Sequence, residues 1–214
     1  MRETFHGQLV ELRELLGTMC TKAAGAMRQA TEALLTADLA RAEQVLDADT
    51  ELDELRDECE ERARQMLALQ APKASDLRLV LSAVYCAERI ERMGDLAEHV
   101  ANTTRRVHPS HVAPPELADT FASLGEITSS MADALVAHIA CPREGSFAEL
   151  DEIDHQVDDL HAAVLATITD PSWQHGVPTA TGLALVARFY ERFADQVVSV
   201  AKRVEFVSTG VTPR

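Results

Sequence analysis

A chain of 214 residues with a formal net charge of −15 can bury a sizeable core, either as one domain or as two small ones. That acidic balance excludes a nucleic-acid binder, which needs a basic face. Lysine stands only at Lys22, Lys73 and Lys202, so no polybasic segment ties the chain to a membrane. No apolar run is long enough to span a bilayer, and the charged N-terminus lacks the apolar stretch of a secretion signal. Cys20, Cys59, Cys86 and Cys141 are widely separated with no C-x-x-C pair; they are expected to be reduced and buried, as in a cytoplasmic protein.

Nearly everything between the prolines reads as helix. Ala, Leu, Glu and Arg dominate, β-branched runs are scarce, and no hairpin dipeptide appears. The first helix is expected over about Glu3–Thr36, with Asp38 capping a second that runs to about Gln70. Pro72 suits the first turn of a third helix, where its missing N–H would be unpaired anyway. That helix should end at Arg105-Arg106, cations suited to a helix C-terminus. Val107–Pro115, with Pro109, Pro114 and Pro115, breaks the pattern and splits the chain almost evenly. A fourth helix follows from about Glu116 to before Pro142. Gly145-Ser146 then caps a fifth reaching about Thr169, and a loop over Asp170–Pro178 leads into a sixth over about Thr179–Ser208. The reading is an all-α tandem of three-helix units at residues 1–107 and 116–214, with 108–115 as linker. Whether the halves stack end to end or fold into one bundle is not set by periodicity.

The two halves also repeat their acids. Asp49-x-x-x-Asp53 precedes Glu91-Arg92-Met93-Gly94-Asp95, and Asp154-x-x-x-Asp158 precedes Glu191-Arg192-Phe193-Ala194-Asp195. The first pairs lie 105 residues apart and the second 100, so one short deletion brings the halves into register. At about 100° per residue, Leu150, Ile153, Val157, Leu160, Val164 and Ile168 form the apolar stripe of the fifth helix, with Asp154 and Asp158 to one side. Leu52, Leu55, Cys59 and Met66 mark the matching stripe beside Asp49 and Asp53. The third helix has a small-sided stripe (Ala83, Ala87, Ile90, Gly94, Ala97, Ala101) flanked by Glu91 and Asp95. Glu191 and Asp195 likewise flank Leu183, Ala187, Tyr190, Ala194 and Ala201. Small residues allow close backbone approach, so the third and sixth helices should sit centrally.

Acids four apart on one helix repel by roughly 0.2–0.5 kcal/mol. Four such pairs in register call for a counter-charge, either a metal ion or a basic partner. An oxygen-only donor set of Asp49, Asp53, Glu91 and Asp95, or of Asp154, Asp158, Glu191 and Asp195, suits hard cations such as Mg, Ca, Mn or Fe. A solvated acidic face is the plainer alternative for any single pair. His99 has no counterpart at Ser199 and reads as surface. A di-metal oxidase would need Glu-x-x-His on two helices, and only Glu152-x-x-His155 occurs. No phosphate-loop, nucleophile-elbow or dinucleotide glycine pattern appears. A non-enzymatic chain is therefore expected, with a carboxylate-bridged di-metal enzyme or a metal-free helical adaptor as the competing readings.

The segment Leu67-Ala68-Leu69-Gln70-Ala71-Pro72-Lys73-Ala74-Ser75-Asp76-Leu77-Arg78 resembles a signature of the PhoU family, and Glu91-Arg92-Met93-Gly94-Asp95 resembles a second. The likeness covers essentially the whole chain. It implies two three-helix bundles side by side, a multinuclear iron or zinc cluster at the acidic motifs of some members, and a regulatory role. In that role a PhoU-type protein couples a phosphate ABC transporter ATPase to a membrane sensor histidine kinase. It thereby represses the phosphate-starvation response, a form of two-component signalling, when phosphate is plentiful. Membrane association would come only through partners, and a homodimer is left open. The second unit departs from the pattern at Gly182-Leu183-Ala184 and at Ala194, so its acidic seam is expected to be the weaker one.

Overall fold

The structure, a computed structural model, describes residues 2–70 and 72–213. It contains six helices: α1 (Arg2–Thr36), α2 (Leu39–Gln70), α3 (Ser75–Val107), α4 (Pro115–Ala140), α5 (Ser146–Thr169) and α6 (Gly176–Thr209). Among the described residues there is no strand. Asp38 caps α2 as its position suggested, with Oδ1 accepting from the Arg41 N–H at 3.0 Å.

Two boundaries differ from the sequence reading. Pro72 lies outside α3, which begins at Ser75 behind an Ala74 with φ +50°; that left-handed residue cannot belong to a helix running back to the proline. Helix α6 starts earlier than expected, at Gly176, and takes Pro178 into its first turn, where no N–H is required. At α5, Gly145 occupies the cap position with φ +88°, a conformation glycine adopts freely. No cap side chain serves there. Instead Glu205 of α6 accepts the Phe147 N–H at 2.9 Å, so the buried carboxylate neutralises the positive end of α5. One cysteine also departs from expectation. Cys20, Cys59 and Cys86 are buried free thiols, whereas Cys141 caps the end of α4 and is exposed, because the chain turns away there toward Pro142.

The packing repeats. Helices α1, α2 and α3 touch one another, as do α4, α5 and α6; the units then join side by side through α1 against α4 and α3 against α6. Among the described residues α2 packs only on α1 and α3, and α5 only on α4 and α6, so these two helices flank a central four. One apolar cluster runs through both units. Burial of a Leu, Met or Phe side chain contributes about 1.5–3 kcal/mol, and this shared core makes the halves interdependent. Ala83, Ala87, Ile90, Gly94, Ala97 and Ala101 are all buried, as are Leu183, Ala187, Tyr190, Ala194 and Ala201. Across the join, the Tyr190 hydroxyl meets Thr31 Oγ1 at 2.9 Å, and Arg28 pairs with Asp133 at 2.6 Å. A Cβ added to Gly125 of α4 would collide with Thr31, which explains a glycine at this helix contact.

Two acidic seams as the candidate metal centre

In the first unit α2 lies so close to α3 that a Cβ on Gly94 would run into the Leu52 side chain and stand 3.4 Å from Asp49 Oδ1. That approach, made by a missing side chain, places Asp49 beside the helix that carries Glu91 and Asp95. Burial lifts the Asp49 carboxyl to about 6, helped by the charges of Asp95, Glu98 and Asp53 and opposed by His99. Burial likewise lifts Glu91 to about 7, with Asp95 and Asp53 adding to it and Arg56 working against it. All four predicted acids of the unit are half-buried and act on one another across the α2·α3 groove.

The second unit gathers its four in the same way. Asp154 is pushed up to about 6 by burial and then by Asp158, Asp195, Asp151 and Glu191. Glu191 is raised by burial and by Asp195, and Asp195 by burial and by Asp158. Asp154 and Glu191 are half-buried, while Asp158 and Asp195 stand exposed at the rim. Both sets therefore converge on one seam per unit. The departures at Gly182-Leu183-Ala184 and Ala194 do not separate the second set.

Each seam also carries a cation whose position is not duplicated. Arg56 of α2 reaches Asp53 at 3.3 Å, Asp57 at 3.0 Å and, across the groove, Glu91 at 3.4 Å. In the second unit Arg188, one turn before Glu191 on α6, pairs with it. Arg92 pairs with Asp95 at 2.6 Å. Glu98 also joins the first seam. It lies on the Glu91–Asp95 face at i+7, a spacing legible in the sequence, but Val198 stands at its equivalent, so duplication did not select it. His99 is exposed with its ring against Phe189, and its charge still acts on Asp49.

Would these residues suit a metal? The donors are hard carboxylate oxygens, desolvated and mutually repelling, and such a set favours a hard cation. Two oxygens of the second seam, Asp154 Oδ1 and Glu191 Oε2, are buried without any hydrogen-bond partner, an arrangement native proteins mostly avoid. As placed, however, no three such groups among the described residues close on a single point at ligand spacing. Asp53, Glu91, Asp95 and Glu191 pair with arginine instead. The seams fit a cation in donor chemistry, and ligation would require Asp53, Glu91, Asp95 and Glu191 to leave Arg56, Arg92 and Arg188.

Two side-by-side three-helix units with a duplicated acidic seam define a class of helical protein. A PhoU-domain family model matches this chain twice, over residues 16–104 and 121–204. The chain belongs to the PhoU family. It is 44% identical over 213 residues to "Phosphate-specific transport system accessory protein PhoU homolog 2" of Mycobacterium tuberculosis, covering 100% of both chains. It is 43% identical to homolog 1 of Mycobacterium leprae, covering 100% of this chain and 96% of the relative. Among solved structures, PhoU from Pseudomonas aeruginosa superposes with a TM-score of 0.87 at 22% identity, covering 97% of this chain and 100% of the other. The phosphate transport system regulatory protein PhoU from Streptococcus pneumoniae gives 0.85 at 22% identity, covering 98% and 99%. These structural likenesses establish the fold. No helix among the described residues is long and apolar enough to cross a membrane.

Proposed function

We propose that this chain is a cytoplasmic, non-enzymatic regulator of phosphate uptake. It would couple a phosphate ABC transporter ATPase to a sensor histidine kinase and hold phosphate-starvation genes off when phosphate is plentiful. The observation that carries the reading is the end-to-end similarity to proteins named as accessory to phosphate-specific transport. The long acidic surface supports it further, since a net charge of −15 complements a basic region on a partner and speeds encounter with it.

Within this reading the seams bind metal. Asp49, Asp53, Glu91 and Asp95 would hold an ion or small cluster in the first unit, and Asp154, Asp158, Glu191 and Asp195 in the second. The metal would supply the positive charge that ties α2 to α3 and α5 to α6. This chain's own residues set the terms. Burial holds Asp49, Glu91 and Asp154 near neutrality, and Arg56 and Arg188 stabilise the seams when no ion is present. Iron or zinc is the expectation from the family, and Mg, Mn or Ca from the oxygen donors.

Deleting the gene, with any second homologue, should switch on phosphate-scavenging genes in phosphate-rich medium. A pull-down from phosphate-replete cells should recover a transporter ATPase or a sensor kinase. Normal repression in the deletion strain would remove the regulatory reading.

A further inference from the structure

Where α3 and α6 cross between the units, an otherwise acidic molecule collects positive charge. Arg203 lies with Cζ 4.3 Å from the centre of the Tyr85 ring and 5.8 Å from that of Phe206. Arg89 stands 5.0 Å from Tyr85, and Arg78 stands 5.4 Å from Phe206. Lys202 Nζ sits 5.1 Å above Phe147. These cations come from both halves of the chain and share one end of the α3·α6 seam. None of the four makes an ion pair among the described residues, although most other basic side chains here do. Arg89 finds only the neutral Gln196 amide oxygen, at 3.0 Å, and Arg78 Nε is buried with no partner. The nearby Glu205 carboxylate is spent on the start of α5.

A pocket of about 270 Å³ opens among them, lined by Tyr85, Ser199, Lys202, Arg203, Phe206 and Thr212. Its walls thus offer guanidinium and ammonium donors, hydroxyls, and no carboxylate. The internal duplication supplies a control. Shifted by 100 residues, Tyr85, Arg89, Ser199, Lys202, Arg203 and Phe206 correspond to Leu185, Phe189, His99, Asn102, Thr103 and Arg106. The opposite end of the same seam thereby keeps two permanent cations, Arg105 and Arg106, against four here. A role in helix packing alone would not require four cations held on aromatic rings at one end against two, off any ring, at the other. Cations held on aromatic faces keep their N–H donors free for a ligand, and arginine forks match tetrahedral oxyanions in two-point contact.

We propose that this end of the α3·α6 seam is a binding site for a phosphate-bearing anion, with Arg203 and Lys202 as its principal donors. A single carboxylate would leave most of this charge uncompensated, whereas a phosphate group brings about two charges and several acceptor oxygens. Two guanidiniums already lie against each of Tyr85 and Phe206, so recognition falls on the phosphate group and not on a stacked base. The site is independent of the acidic seams and of the transporter reading.

The test is calorimetric titration of the full chain, chelator present, at low and constant ionic strength, with orthophosphate, with a sugar phosphate monoester and with chloride. Chelator removes metal-bridged binding at the seams, and the first two ligands separate free phosphate from a phosphorylated metabolite. Saturable binding of either, absent with chloride, is expected. Arg203→Gln and Lys202→Gln should each weaken it about tenfold, the loss of one charge-assisted contact. Arg105→Gln and Arg106→Gln, the same charge change at the opposite end, should leave it unchanged. Melting curves of each variant establish that it is folded, and the half-exposed Lys202 provides a variant outside the core. No saturable binding of either phosphate ligand, or binding that survives both Arg203→Gln and Lys202→Gln, overturns the proposal.

Discussion

In the first unit an arginine on α2 reaches over the groove to Glu91; in the second, the same place holds His161, and the cation has moved to Arg188 on α6 itself. The duplication has kept the eight acids and the arginine beside them (Arg92, Arg192) and exchanged the others, Arg56 and Arg188. Arg56 spans two helices and serves three carboxylates, whereas Arg188 pairs along its own helix and leaves Asp154 Oδ1 and Glu191 Oε2 buried and unpartnered. Acids that all persist while Arg56 and Arg188 change place are only partly explained by ion pairing. The metal proposed above would give both seams a common partner, bound through the acids. The second seam, where the sequence departs from the pattern, is also the one that holds the unsatisfied oxygens.

The largest contrast should come from the helix approach. Gly94→Val drives a branched side chain into Leu52 and should cost about 3 kcal/mol by overpacking. Ala194→Gly, the reverse exchange at the matching place, should cost only about 1 kcal/mol. Urea unfolding of both variants measures the difference, and equal costs would show that the two seams are packed alike.

Next is the response of chelated protein to pH. The carboxyls of Asp49, Glu91 and Asp154 titrate near 6, 7 and 6 in the folded chain, above their unfolded values. The folded state therefore binds more protons between roughly pH 4 and 7, and the penalty of holding these groups charged is full only above that window. The melting temperature should rise as pH falls from 8 to 5.5. Glu91→Gln and Asp154→Asn should each flatten the rise, and a profile indifferent to both would deny that these groups are strained.

Counter-ion changes should then separate the units by sign. Arg56→Gln leaves Glu91 without its cross-groove partner and should destabilise chelated protein by about 1 kcal/mol. Asp154→Asn relieves an unpaired charge and should stabilise it by about 0.5 kcal/mol. The smallest effect tests the join itself. A double-mutant cycle of Thr31→Val and Tyr190→Phe should give about 0.5 kcal/mol of coupling if the hydroxyl pair links the halves.

Much of this was legible in the residues. Six helices, the stripes of Leu150–Ile168 and Ala83–Ala101, and both acidic seams follow from periodicity and repetition, because one side of each helix must be buried and duplicated acids keep their place on it. Local backbone choices were not legible. Ala74 in the left-handed region moved the start of α3 past Pro72, and no side-chain pattern signals that. Arg92, inside the repeated motif, was legible as a counter-charge, whereas Arg56 and Arg188 occupy non-equivalent positions that repetition does not mark. The cation cluster was hidden more deeply still. Arg78, Tyr85 and Arg89 belong to one half and Lys202, Arg203 and Phe206 to the other, and only the packing of α3 on α6 brings them together.

Mn²⁺ titration of chelator-stripped protein, followed by loss of the free-ion paramagnetic resonance signal, tests most directly that both seams are cation sites. Two classes of site are expected, with protons released on binding because the raised carboxyls must ionise to coordinate. Asp49→Asn should abolish one class and Asp154→Asn the other. Retention of the free Mn²⁺ signal at all concentrations, or binding untouched by both substitutions, would contradict it.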